Sequence, residues 1–143
     1  MYAFAVEVAM FRISLRLVSD DGDPAEVSAA TGMTADTATR AGEPSAKTGR
    51  PHKFSSWSVS VGPQPCVERA EEAFNALISW GLPLARRFHE VCAKEGWEAS
   101  LGIVQEFRTP DEPLEKGISL SRQLIEWLAT AGAGIEIDQY IYY

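Results

Sequence analysis

Hydrophobic and polar residues alternate with a period of two in four separate stretches of the chain. In the first, Ile13, Leu15 and Leu17 fall on one side and Arg12, Ser14 and Arg16 on the other. In the second, Trp57, Val59 and Val61 interleave with Ser56, Ser58 and Ser60. The third sets Ala99, Leu101, Ile103 and Phe107 against Glu98, Ser100, Val104 and Glu106, and the last sets Ile135, Ile137 and Ile141 against Glu136, Asp138, Tyr140 and Tyr142. Successive side chains of a strand point to opposite faces, so each stretch predicts a strand with one buried face. Tyr2, Phe4, Val6 and Val8 also alternate, but out of phase with Ile13, which implies a bulge, a bend or a separate piece before the first strand.

Helical spacing fills the gaps. Asp23 followed by Pro24 predicts an N-cap and a first helical residue, with a short helix to Ala30 stopped at Gly32. Val67, Ala70, Phe74, Leu77 and Ile78 mark a helix over Val67 to Trp80; Gly81 and Pro83 break it, and Leu84, Phe88 and Val91 continue as a shorter helix closed by Gly96. Ser121 caps a helix through Leu124, Ile125, Leu128 and Ala131, stopped at Gly132. Asp36 to Ser55 reads as a partly mobile loop with local positive charge from Arg40, Lys47, Arg50 and Lys53, and Thr109 to Gly117 as a surface loop.

The order is strand, short helix, strand, helix pair, strand, helix, strand. No strand is a continuous apolar run, so the sheet should be covered on one face only. The expected fold is α+β: a two-layer sandwich of a four-stranded, mainly antiparallel sheet with helices on one face, and a ferredoxin-like arrangement as the leading topology. The uncovered face would then show Arg12, Ser14, Arg16, Ser58, Ser60, Glu98, Ser100, Glu136, Asp138, Tyr140 and Tyr142. If the first and last strands are neighbours, Arg12 and Arg16 pair with Glu136 and Asp138.

The chain has 143 residues, 45% hydrophobic and 23% charged, which fits one globular domain over 1–143 with residues 1–10 as an extension. The formal charge of −7 excludes generic attraction to nucleic acid or anionic membranes and favours a basic protein partner. The apolar start lacks a basic segment before it, and no apolar run approaches the roughly 20 residues of a membrane span, so a cytoplasmic location is expected. Cys66 and Cys92, both expected in helices, lack metal-ligand spacing and read as packed free thiols.

Catalytic patterns are missing. His52 and His89 have no neighbouring nucleophile in a known motif, and there is no Gly-x-Ser-x-Gly elbow or phosphate-cradling glycine loop. Glu136 and Asp138 share a strand face, where surface charge is the commoner role. The reading therefore leans away from an enzyme and predicts no cofactor and no metal. Two candidate sites remain. One is the basic loop, where Arg40 is placed to clamp an anion with Arg50, His52 and Lys53 adding positive potential and Trp57 a flat face, unless Arg40 simply pairs with Glu43. The other is the partner face made by Glu136, Asp138, Tyr140 and Tyr142, since exposed tyrosines are enriched at interfaces.

Several of these elements recur together: Thr31-Gly32-Met33, Thr39-Arg40 with Gly42-Glu43, Trp57 opening a strand, and Ala131-Gly132 leading into the Ile135-Glu136-Ile137-Asp138 alternation. With them, Phe11 to Tyr142 resembles the bacterial family called domain of unknown function 4279, while the residues up to Met10 lie outside the pattern. The resemblance implies a bacterial α+β domain and transfers no catalytic residue. The expected function is non-catalytic protein binding, by analogy with acidic immunity proteins that neutralise basic toxins or nucleases, as a monomer or homodimer. The alternative is a small-molecule or anion-binding domain, or a weak enzyme, centred on Arg40, Glu43 and Trp57.

Overall fold

A computed structural model describes residues 10–107 and 117–141. The central strand β1 (Met10–Ser19) pairs antiparallel with β3 (Ser55–Ser60) on one side and with β4 (Glu98–Phe107) on the other. Beyond β3 lies the short edge strand β2 (Thr37–Thr39), and beyond β4 the edge strand β5 (Gly134–Ile141), so the order is β2-β3-β1-β4-β5. All pairs are antiparallel except β4 with β5, which run parallel. Parallel neighbours need a crossover, and α4 (Arg122–Ala131) supplies it.

The α+β class and the single covered face match the alternation. The four-stranded ferredoxin-like expectation does not: the sheet has a fifth strand and ends in a parallel pair. Alternation fixes which face a side chain occupies and says nothing about which strand lies beside it. The three residues of β2 are also too few to show a period, so the sequence there is indistinguishable from loop.

The helices begin and end where the caps place them. In α1 (Pro24–Thr31) the Asp23 carboxylate accepts from the Ala25 N–H at 3.0 Å, and Gly32 closes the last turn at φ 73°. In α4 the Ser121 hydroxyl accepts from Leu124 N–H at 3.2 Å. The helix pair is α2 (Ala70–Ser79) and α3 (Leu82–Glu95), so Val67, expected in the first of these, lies outside it. Val67 instead exchanges two backbone hydrogen bonds with Phe11, at 2.7 and 2.9 Å, tying the segment before α2 to the start of β1. Cys66 lies in the same segment rather than in a helix; both cysteines are free and half-buried.

One cluster of buried side chains lies between sheet and helices. Leu15 sits opposite both Val59 and Leu101, and Leu17 opposite Trp57 and Ala99. Aromatic rings link the layers: Trp57 meets Phe88 edge-on at 5.6 Å, Phe88 lies 6.1 Å from Trp127, and Trp127 meets Trp80 at 6.0 Å. The two fully buried indoles are satisfied, Trp57 donating to Ser28 Oγ and Trp127 to the Gly81 carbonyl, each at 3.0 Å. Residues Tyr2 to Val8, and most of the Thr109 to Gly117 loop, lie outside the described residues.

Candidate functional site

The segment after β2 is more ordered in its bonding than a loop reading suggests. Gly42 N–H donates to the His52 carbonyl and His52 N–H to the Glu43 carbonyl, each at 2.9 Å, while Ser45 N–H donates to the Arg50 carbonyl at 2.7 Å. The result is a narrow two-stranded ribbon, tipped at Gly49 with φ 71°, that carries Lys47, Arg50 and Lys53 into solvent.

Arg40 stands at the base of this ribbon, and its guanidinium faces Asp23 at 3.5 Å. The anticipated side-chain pairing with Glu43 does not form; Glu43 N–H instead donates to the Arg40 carbonyl at 3.1 Å. Around Asp23 the charge is negative. The Glu26 carboxyl is raised above its usual range by partial desolvation first, then by a hydrogen bond to Glu95 and by repulsion from Glu95 and Asp23, with Arg40 acting in the opposite direction. Arg40 therefore serves an acidic cluster at the start of α1 and the end of α3. Trp57, expected to offer a flat face beside the loop, is fully buried under the helices. Its position on the apolar side of β3 was the signal for that, and it outweighs proximity in sequence.

The other candidate surface is the uncovered sheet face. Arg12, Arg16, Ser60, Glu98, Glu136, Asp138 and Tyr140 are exposed there, as the alternation predicts; Tyr142 lies outside the described residues. The expected pairing of Arg12 and Arg16 with Glu136 and Asp138 is corrected by the strand order, because β4 stands between β1 and β5. Arg12 reaches Glu106 of β4 instead, whose side chain is nearly covered. Arg16 lies over the Phe54 ring, 5.8 Å from its centroid. Among the described residues, Glu136 and Asp138 have no ion-pair partner.

On β5 the alternation gave the correct face and the wrong degree of burial. Ile135, Ile137 and Ile141 share the helix side with Leu101, Ile103 and Phe107, their register partners on β4. Those β4 residues are buried, yet all eight residues of β5 are exposed, Ile137 at 47% and Ile141 at 52%. Helix α4 packs mainly against α3 and α2, and among the described residues no helix packs extensively on β5. Gln139, on the same side, donates to Gln105 of β4 at 2.9 Å. Sequence pattern alone could not have found this exposure, since an edge strand and a central strand alternate identically.

Among the described residues, no group of three or more His, Cys, Asp or Glu side chains is placed to hold a metal ion, and no helix is long and apolar enough to cross a membrane. The arrangement is an open five-stranded mixed sheet, helix-covered on one side, with an exposed amphipathic edge strand. The chain belongs to the family described as domain of unknown function (DUF4279), whose sequence model matches residues 9–142. Neither the curated proteins nor the solved structures contain a match to it.

Proposed function

We propose that this protein is a non-catalytic binding domain whose edge strand β5 accepts an extended segment of a basic protein partner. The observation that carries this reading is the exposure of the whole of β5 along a sheet edge that, among the described residues, no further strand pairs with. A long edge strand offers unpaired N–H and C=O groups as a template for another strand, a hazard that proteins usually blunt. Added strands gain affinity from main-chain hydrogen bonds and specificity from alternate side chains. Here the helix side offers Ile135, Ile137 and Ile141, and the open side offers Glu136, Asp138 and Tyr140.

Charge selects the partner. The carboxylates of Glu136 and Asp138 are not neutralised within the described residues, and the chain carries a formal charge of −7. A second copy would bring the same carboxylates to the joint, where like charges across strands are unfavourable. A strand with lysine or arginine on one side and apolar residues on the other satisfies both faces. The anion-binding alternative at Arg40 is weaker, because that guanidinium already faces Asp23.

Site-specific photo-crosslinking tests the proposal: a benzophenone side chain replaces Tyr140 in one variant and Lys47 in another, and both are irradiated in lysate of the source organism. The proposal expects one basic protein crosslinked from position 140 and not from 47, lost when Glu136 and Asp138 are both changed to Lys and weakened by 0.5 M salt, roughly as charge screening requires. Crosslinking of position 140 only to a second copy, or no crosslink there at all, overturns it.

A further inference from the structure

A second site lies on the same open face but at its opposite corner, where β1 ends and β3 and β4 begin. There the surface forms an open groove of about 420 Å³ lined by Arg16, Val18, Asp20, Phe54 and Glu98 among others. That volume is within the range of small-ligand pockets, roughly 300 to 1,000 Å³. Val18 lies opposite Ser56 and Glu98 in register and forms the half-buried floor. Phe54, just before β3, is 44% exposed, a large apolar ring left at the rim.

The two arginines of β1 differ in a way that bears on function. Arg12 is neutralised by Glu106. Arg16 is held over the Phe54 ring at 5.8 Å and, among the described residues, has no carboxylate partner. A cation–π contact of this kind attracts the guanidinium to the ring without using its N–H groups, which stay available to an anionic group. Glu98 and Asp20, also lining the groove, likewise have no ion-pair partner among the described residues. The groove thus presents one cation, two carboxylates and an aromatic wall. With more negative than positive charge, it repels a simple anion, and Arg16 disfavours a simple cation.

We propose that this groove binds a small zwitterion of the α-amino-acid type with an apolar or aromatic side chain. Its carboxylate meets the Arg16 guanidinium, its ammonium faces Glu98 and Asp20, and its side chain lies against Phe54 and Val18. The site is separate from β5, and the proposal stands whether or not β5 binds a protein.

The test is a two-dimensional amide NMR titration of the full chain with three probes: L-phenylalanine, 3-phenylpropionate, which lacks the ammonium, and 2-phenylethylamine, which lacks the carboxylate. L-phenylalanine should give saturable shifts at Val18, Phe54 and Glu98, with each half-probe at least about tenfold weaker, the loss expected for one charged hydrogen-bonding group. Arg16→Gln and Glu98→Gln should each weaken L-phenylalanine by a similar factor. Both side chains are exposed, so the remaining spectrum should be unchanged. The proposal is overturned if L-phenylalanine gives no saturable shift there, if either half-probe binds as well, or if Arg16→Gln binds normally.

Discussion

Ile103 and Ile137 form a matched pair in which one side chain is covered and the other is not. They are register partners on β4 and β5, on the same side of the sheet, yet Ile103 is 0% exposed and Ile137 47%. Changing either to Ala removes three carbons, worth about 0.8 kcal/mol each when fully buried. At Ile103 the deletion also opens a cavity beside its buried register partner Ile13, so the total should be about 3 to 4 kcal/mol, within the span of about 2 to 5 seen for such truncations. At Ile137 about half of the transfer loss applies and no cavity forms, giving about 1 kcal/mol. Urea unfolding followed by tryptophan fluorescence measures both, since Trp57, Trp97 and Trp127 are buried. The slope with denaturant should stay constant, so the midpoints report stability directly. If Ile137→Ala costs as much as Ile103→Ala in the isolated protein, the helix side of β5 is covered in solution and the docking argument loses its basis.

Three further expectations follow from particular contacts. A β-carbon at Gly22 would come within 2.7 Å of Trp97 Cζ2 and 2.9 Å of Ser19 Oγ, so Gly22→Ala should destabilise by about 1 to 3 kcal/mol in the same urea assay. Asp23→Ala removes the α1 cap and the partner of Arg40, and should cost about 0.5 to 2 kcal/mol; Arg40→Ala, which removes only an exposed pair, should cost less than 1, or about that at most. Burial pushes the Cys92 thiol up to about 11. The folded state thus holds its proton more tightly than the unfolded chain, so this contribution to stability is complete below pH 9.0, the ordinary value, and is lost as pH rises towards 11. At pH 8 Cys92 should react with a disulfide reagent about 100-fold more slowly folded than unfolded, from ionisation alone; equal rates would contradict its burial.

How much of the molecule could be read from sequence depended on whether the property was local. Caps at Asp23 and Ser121 and stops at Gly32, Gly96 and Gly132 were legible because each depends on one residue and its immediate backbone. Strand faces were legible because alternation is a property of a single strand. The pairing of Arg12 with Glu106, the exposure of Ile137 and the burial of Trp57 away from the Arg40 loop depend on which elements become neighbours. The contact of Arg16 with Phe54 was hidden for the same reason: the residues are 38 apart in sequence, and only the pairing of β1 with β3 brings them together. Glu136, Asp138 and Tyr140 are exposed as their side of the alternation implies, while Ile135, Ile137 and Ile141, expected to point inward, are exposed as well.

The most direct test of the central claim is amide hydrogen exchange across Gly134–Ile141, measured on the isolated chain and on the complex formed with the protein crosslinked from position 140. The account predicts that β5 amides not bonded to β4 exchange readily in the isolated chain and become protected in the complex, with the Lys47 ribbon unchanged. Protection of those amides already in the isolated chain, or a complex that leaves them unprotected, would contradict it.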